Sequence, residues 1–315
     1  MSYTHIKFTL PAFIILVLLL VGENSFGQKV VVSSGTVTRF ENFTSKYVDP
    51  RNVDVWLPDN YSNSKKYAVF YMQDGQMLFD STHTWTHQEW GVDETLGKLM
   101  KEKKIRDCIV VGIWNIGEKR HAEYCPQKPV ESLSSKQLDT LYTAKNPYGQ
   151  LVFGNNKINS DNYLKFLINE LKPFIDSTFS TLKDQQNTFI AGSSMGGLIS
   201  FYAICEYPNV FGGAACLSTH WTVLYRADHN PAPAAIFEYM KNHLPSPKDH
   251  KIYFDHGTTT LDTLYAPFQK EADEVMKAHG YTSKNWETKV FNGESHSEQS
   301  WRKRFDIPAL FLLKK

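Results

Sequence analysis

The chain of 315 residues lacks an excess of charge of either sign, because 34 Lys and Arg stand against 33 Asp and Glu, for a formal net charge of +1. It also lacks long runs of Lys or Arg. Binding to nucleic acid requires a basic surface, so we expect no nucleic-acid partner. With 42% hydrophobic residues, the chain has enough apolar material for one large core, which excludes a disordered tail.

Sequence motifs for nucleotides and metals are also missing. The chain has no P-loop, no G-x-G-x-x-G fingerprint and no His-Glu-x-x-His frame. His83, His87 and Glu89 lie close together, but their loop is rich in Thr and Trp and does not have the spacing of a zinc site. We therefore expect neither a metal nor an organic cofactor.

Cysteine is scarce, with four residues and no C-x-x-C pair. A chain of this length does not depend on disulfides for its stability. Cys205 and Cys216 lie inside apolar stretches, so we expect them to be free, buried thiols. The sequence favours neither state for Cys108 and Cys125.

The N-terminal region has the pattern of a secretory signal peptide. Lys7 precedes an uncharged apolar run over residues 11–21, and the small residues Ser25 and Gly27 precede a cleavage point. The run is shorter than the roughly 18 to 20 residues that a membrane span needs, although an uncleaved anchor is the alternative. We expect residues 1–27 to be removed and residues 28–315 to form one domain. That domain is then exported to the periplasm or the exterior, with no stable membrane span.

Short apolar runs alternate with helical patterns, which predicts an α/β fold with a mostly parallel sheet and helices on both faces. The runs Tyr67–Met72 and Cys108–Ile113 are almost entirely apolar, as expected of strands that are buried on two faces. Alternation within residues 29–57 predicts antiparallel strands ahead of them. Apolar residues at helical spacing predict a helix over Tyr163–Ile175, which Pro173 must tighten or kink near its end.

Gly192 to Gly196 read Gly-Ser-Ser-Met-Gly and match the G-x-S-x-G pattern. A predicted strand precedes the motif and a predicted helix follows it, which is the context of a serine held on a sharp strand-to-helix turn. Small flanking residues let strand and helix approach while the hydroxyl stays accessible. We therefore predict that Ser194 is a nucleophile and that the backbone N–H of Met195 is one oxyanion donor.

A serine nucleophile needs a base, and His296 lies in a polar loop after the last predicted strand. His220 and His256 also follow strands and are the competing bases. The acid that orients the histidine is expected after the preceding strand, where Asp255 and Asp262 are both available. Asp262 is favoured because it lies beyond the turn, where a carboxylate can reach the histidine from the side.

The second oxyanion donor is expected in the loop after an early strand. Gly75 follows such a strand and permits a turn, so the backbone N–H of Gln76 is the predicted donor, with Met77 as the alternative. Asp74 is either part of the site or only a turn residue. Trp85 and Trp221 lie in loops that could face the site and are the predicted substrate-binding rings, because indoles stack on sugar or aryl groups.

Several segments together resemble the Putative esterase family of α/β-hydrolases, which includes feruloyl and acetyl-xylan esterases, siderophore esterases and S-formylglutathione hydrolases. The matching segments are VDVWLP from Val53, VFYMQDGQMLFD from Val69, EWGVDETL from Glu89, IVVGIWN from Ile109, R-x-x-E-Y from Arg120, GSSMGG from Gly192 and a terminal G-x-x-H followed by Trp301. The resemblance implies the α/β-hydrolase fold and a triad of Ser194, His296 and an acid within residues 255–262.

The resemblance and the predicted export together imply a secreted serine carboxylic-ester hydrolase that works through an acyl-enzyme. Its substrate is then a small-molecule or polysaccharide ester of the polysaccharide-linked, aryl or siderophore type. Two alternatives remain open from the sequence. One is an acyltransferase that passes the acyl group to a sugar, and the other is a non-catalytic carbohydrate-binding protein with the same fold.

Overall fold

The computed structural model describes residues 30–84 and 86–314, together with Met1. The predicted signal peptide and Trp85 therefore lie outside the described residues, apart from Met1. Eight strands of the described part form one sheet. They are β1 Thr36–Phe43, β2 Arg51–Leu57, β3 Ala68–Gln73, β4 Cys108–Ile113, β5 Thr188–Ser193, β6 Gly213–Leu217, β7 Lys251–Gly257 and β8 Trp286–Phe291.

The strand order in the sheet is β1-β2-β4-β3-β5-β6-β7-β8. Strand β2 pairs antiparallel with both β1 and β4, and every other neighbouring pair is parallel. The prediction of a mostly parallel sheet with antiparallel leading strands is thus confirmed.

Helices cover both faces of this sheet, as predicted. They are α1 Val92–Lys101, α2 Arg120–Tyr124, α3 Gln127–Glu131, α4 Ser135–Tyr142, α5 Ser160–Phe166, α6 Lys172–Thr178, α7 Met195–Glu206, α8 Ala232–His243, α9 Tyr265–Ala278, α10 Glu298–Arg302 and α11 Asp306–Leu313. Among the described residues, no helix is long and apolar enough to cross a membrane.

The helix predicted over Tyr163–Ile175 is present but interrupted, because a π-helical turn, Leu167–Leu171, joins α5 to α6. Pro173 lies two residues after the end of this turn. Proline has no N–H for the helical ladder and its ring crowds the preceding turn, which accounts for a wider turn at this point.

Alternate residues of the central strands pack on opposite faces. In β3, Val69 and Tyr71 join the cluster formed with α5, α7, α8 and α9, whereas Phe70 and Met72 join the cluster formed with α1 and α11. All six residues of β3 are buried, so burial on both faces explains the unbroken apolar run in the sequence.

All four cysteines are free and buried. The prediction for Cys205 and Cys216 is therefore confirmed, and Cys108 and Cys125 are in the same state. Burial raises the pKa of the Cys108 thiol to about 12, so it stays protonated and unreactive at neutral pH.

A buried carboxylate fastens the segment before β1 to the first turn of α1. Asp93 is fully buried and accepts hydrogen bonds from the backbone N–H groups of Ser33 (2.7 Å) and Ser34 (3.2 Å). Burial, together with the neighbouring Glu94 carboxyl, raises the pKa of Asp93 to about 7. The folded protein therefore holds a proton here that an exposed aspartate would release.

We expect this carboxyl to make the free energy of unfolding fall as the pH rises from about 4 to about 7. In that window the folded state binds a proton that the unfolded chain, with an ordinary aspartate pKa of 3.8, has lost. Replacing Asp93 with Asn keeps an acceptor for Ser33 but removes the titration, so stability should depend less on pH. Urea unfolding of both proteins across this range measures the effect, and parallel pH profiles would contradict it.

Because β3, β5, β6 and β7 run parallel, their carboxyl ends meet at one edge of the sheet. The chain leaves these strands at Asp74, Ser194, Ser218 and Thr258. This edge is where α/β sheets place their functional side chains. The predicted site residues follow these strands or, for His296, β8, which runs parallel to β7.

Candidate active site

Ser194 occupies a strained turn between β5 and α7. Its backbone has φ 59° and ψ −125°, a conformation that costs an ordinary residue about 1–3 kcal/mol. Two hydrogen bonds hold it there, from the Ser194 N–H to the Leu217 carbonyl (2.9 Å) and from the His220 N–H to the Ser194 carbonyl (3.2 Å). A Cβ on Gly192 would lie 2.6 Å from the backbone of Gly196, so the turn requires glycine there.

His296 and Asp262 form a hydrogen-bonded pair beside this turn. The His296 Nδ1 lies 2.6 Å from Asp262 Oδ1. The second carboxylate oxygen, Oδ2, accepts from the Gly257 N–H (2.5 Å) and the Ser218 hydroxyl (2.7 Å). Burial alone would raise the pKa of Asp262, but the hydrogen bonds from His296, Ser218 and Gly257 outweigh it and hold the pKa below its usual value. Asp262 is therefore an ionised carboxylate that fixes the orientation of His296.

The competing acid, Asp255, is engaged elsewhere. It is fully buried within β7 and forms a two-pronged ion pair with Arg304, at 2.9 and 3.2 Å. It also accepts hydrogen bonds from the Ser218 N–H and the Tyr253 hydroxyl. Of the two carboxylates that the sequence left open, the structure brings Asp262 to His296 and gives Asp255 a different partner.

The two competing histidines also have other hydrogen-bond partners. His220 is 1% exposed, and its Nδ1 lies 2.7 Å from the hydroxyl of Tyr265. His256 is 3% exposed, and its Nδ1 lies 2.6 Å from the Gly257 carbonyl oxygen. His296, by contrast, is partly exposed and lines the cleft that contains Ser194.

The early loop also reaches this cleft. Gly75–Met77 form a 3₁₀ turn in which the Met77 N–H donates to the Asp74 carbonyl (2.8 Å), so Met77 is not available as an oxyanion donor. Gln76 lines the cleft. A Cβ on Gly75 would lie 2.4 Å from the backbone of Gly112, which explains the glycine before Gln76. The geometry thus favours Gln76 over Met77.

Asp74 is more than a turn residue. Its carboxylate accepts from Arg120 Nε (2.7 Å) and Nη2 (2.8 Å) and from the Asn115 amide (2.7 Å). Its backbone has a positive φ of 56°, and the residue lines the cleft. The network therefore adds charged, hydrogen-bonded groups to the lining of the cleft.

The cleft has a volume of about 800 Å³ and an open mouth. Besides Ser194, His296, Gln76 and the Asp74 network, side chains that the sequence analysis did not assign to the site line it. They include Trp114, Tyr225, Leu261 and Glu298. Burial raises the pKa of Glu298. Trp114 lies in the segment IVVGIWN, but no motif marks the other three, because they come from separate loops that only the fold brings together.

Trp221, predicted to bind substrate, lies in the hydrophobic core instead. It is fully buried, with its ring against Phe201, Phe237 and Phe254. Its indole N–H donates to Gln269 (3.0 Å). The prediction is corrected, because a ring with no exposed surface cannot stack on a ligand. Trp85 lies outside the described residues.

The chain is similar in sequence to known proteins. The sequence profile of the family described as Putative esterase matches residues 45–311. The uncharacterized protein YbbA of Bacillus subtilis is 23% identical over 262 residues, which cover 81% of this chain and 89% of that protein. The endo-1,4-beta-xylanase/feruloyl esterase of Xylanibacter ruminicola is 23% identical over 303 residues, which cover 93% of this chain but 33% of that larger protein.

Among solved structures, the ferulic acid esterase of the anaerobic fungus Anaeromyces mucronatus superposes with a TM-score of 0.61 at 18% identity. The match covers 91% of this chain and 93% of that one. At this identity the likeness shows a shared fold, and the predicted α/β-hydrolase fold is confirmed.

Proposed function

The chain belongs to the Putative esterase family, and from that membership we propose that it is a serine carboxylic-ester hydrolase. The observation that carries the proposal is the His296–Asp262 pair, with its 2.6 Å hydrogen bond, in the same cleft as Ser194 on its strained turn. Nucleophile, base and orienting acid come from three loops at one edge of the sheet. A fold that served only for carbohydrate binding would have no need of this pairing.

In the proposed reaction, Ser194 Oγ attacks the ester carbonyl while its proton passes to His296 Nε2. Asp262 keeps its negative charge and stabilises the imidazolium. The backbone N–H groups of Met195 and Gln76 hold the oxyanion. Collapse of the tetrahedral intermediate breaks the bond to the alcohol, which takes the proton from His296, and water then releases the acid from the acyl-enzyme by the same steps.

For the substrate, we propose a polysaccharide-linked or aryl ester. Trp114 and Tyr225 offer aromatic surface in the cleft, and the Asp74–Arg120 pair and Glu298 offer polar groups to the hydroxyls of a sugar. The cleft of about 800 Å³ is open enough for part of a polymer. Similarity to a protein named as a feruloyl esterase supports the same class. The sequence of residues 1–27 supports export to the periplasm or the exterior.

The test is hydrolysis by purified residues 28–315 of p-nitrophenyl acetate, methyl ferulate and acetylated xylan, alongside labelling by a fluorophosphonate that reacts with activated serines. We expect labelling of Ser194 and turnover of at least one ester. Transfer of the acyl group to an added oligosaccharide faster than to water would instead favour the acyltransferase. Failure of both labelling and turnover would overturn the proposal.

A further inference from the structure

The side chain of Ser218 joins three buried groups behind the Asp262 carboxylate. Ser218 directly follows β6 and is fully buried. Its hydroxyl oxygen lies 2.7 Å from Asp262 Oδ2, 3.0 Å from the indole nitrogen of Trp301 and 3.0 Å from Arg304 Nη2. These partners are buried as well. The four groups therefore depend on one another, and not on solvent, for their hydrogen bonds.

The direction of the three hydrogen bonds follows from the chemistry of the partners. An indole N–H and a guanidinium N–H can only donate. Trp301 and Arg304 therefore take both lone pairs of the Ser218 oxygen. A serine hydroxyl has one hydrogen, and the remaining partner, the Asp262 carboxylate, can only accept. The Ser218 hydrogen must point at Asp262, because no other arrangement pairs every donor with an acceptor.

The backbone of Ser218 is held in place by a second carboxylate. Its φ of 41° lies in the left-handed region, which strains a residue that has a Cβ. The Ser218 N–H donates to Asp255 Oδ1 (3.1 Å) at this strained position. Such strain persists where the surrounding contacts over-determine the conformation. Backbone and side chain of Ser218 are thus both fixed by buried, charged neighbours.

The Arg304 guanidinium also makes the Ser218 hydroxyl a stronger donor. A hydroxyl that accepts a hydrogen bond from a cation is polarised, so its own hydrogen binds an anion more strongly. The charge of Arg304 is balanced by Asp255, at 2.9 and 3.2 Å. The buried ion pair is therefore connected to Asp262 through one serine side chain.

We propose that Ser218 is a positioning residue that fixes the Asp262 carboxylate with Oδ1 toward His296. This inference rests on the proposed function. Oδ2 is held by two donors from the ends of different strands, the Ser218 hydroxyl and the Gly257 N–H. As the proton of Ser194 Oγ passes to His296 Nε2, Asp262 and Ser218 keep their own protonation states. The carboxylate then need not reorient as positive charge develops on the imidazole.

The first test is Ser218→Ala, which removes one of the two donors to Oδ2 and leaves the Gly257 N–H. We expect kcat to fall by about tenfold with KM unchanged within about twofold, because Ser218 contacts the catalytic acid and not the substrate. Thr219→Val is the matched control. It removes the neighbouring buried hydroxyl, which donates to the Cys216 carbonyl (3.0 Å), and should keep wild-type kcat.

The second test separates the loss of activity from a loss of stability. Ser218→Gly removes the same hydroxyl, but glycine adopts a φ of 41° without strain. The glycine variant should therefore unfold at a higher urea concentration than the alanine variant. We nevertheless expect the two variants to lose kcat equally, because both lack the hydrogen bond to Asp262. Values of kcat that follow the order of stability would overturn the inference.

The third test asks whether Ser218 acts through Asp262. Asp262→Ala removes the carboxylate, and its residual rate can be measured with p-nitrophenyl acetate. Adding Ser218→Ala to this variant should change kcat by less than about twofold, because no carboxylate is left to position. A further tenfold loss in the double variant would show that Ser218 acts independently of Asp262 and would overturn its positioning role.

The remaining outcomes distinguish this inference from the proposed function. An active wild type with unchanged kcat in Ser218→Ala overturns this inference alone, as does an equal loss in Thr219→Val. A wild type that neither turns over esters nor reacts with the fluorophosphonate overturns the proposed function and this inference with it.

Discussion

Replacement of Ser194 by Ala is expected to lower kcat for ester hydrolysis by roughly 10⁴-fold or more. The serine Oγ is the atom that forms the acyl-enzyme in the proposed reaction, so the alanine variant cannot form this intermediate. Folding should be unaffected, because alanine and serine meet the same strain at φ 59° and the backbone hydrogen bonds to Leu217 and His220 remain. Initial rates and a thermal unfolding curve measure the two quantities.

Ser193→Ala is the control for this variant. Ser193 precedes the nucleophile, ends β5, is buried to a similar extent and also lines the cleft, but it belongs to the strand and not to the strained turn. We expect its kcat to stay within about threefold of the wild type. Undiminished turnover in Ser194→Ala, or an equal loss in both variants, would remove Ser194 from the nucleophile's role.

The central strands of the sheet could be predicted from the sequence because they are buried on both faces. Cys108–Ile113 is apolar at nearly every position, and the structure begins and ends β4 at these residues. Helix α8, Ala232–His243, was not identified. Pro231 and Pro233 suggest a break, yet proline is favoured in the first turn of a helix, where its missing N–H has no partner to lose.

Only part of the site could be predicted from the sequence, because some of its residues are placed by partners that are distant along the chain. Ser194 has a local signature, since glycine spacing and the flanking strand and helix all lie within a few residues of it. The role of Trp221 has no such signature. A tryptophan three residues beyond Ser218 is placed in the core or the cleft by the path of its loop, and that path depends on residues such as Gln269 that are distant in sequence. The pairing of His220 with Tyr265 is undetectable for the same reason.

The second large effect is expected from replacing the two aspartates one at a time, because one change should lower activity and the other should lower stability. Asp262→Asn is expected to lower kcat by about 10⁴-fold with little change in the free energy of unfolding. The Gly257 N–H and the Ser218 hydroxyl both donate to Oδ2, so the amide oxygen must occupy that position. The amide NH₂ then faces His296 Nδ1 and donates to it. This fixes the histidine proton on Nε2, where the base must instead accept the proton of Ser194.

Asp255→Asn is expected to show the opposite pattern. The Arg304 guanidinium is 2% exposed, and loss of its carboxylate partner leaves a buried charge without compensation. That costs about 3–5 kcal/mol of the free energy of unfolding. The loss of kcat should be within about tenfold, transmitted through Ser218, whose hydroxyl accepts from Arg304 (3.0 Å) and donates to Asp262. Urea unfolding and kcat measured on both variants decide the assignment, and the reverse ranking of kcat would make Asp255 the catalytic acid.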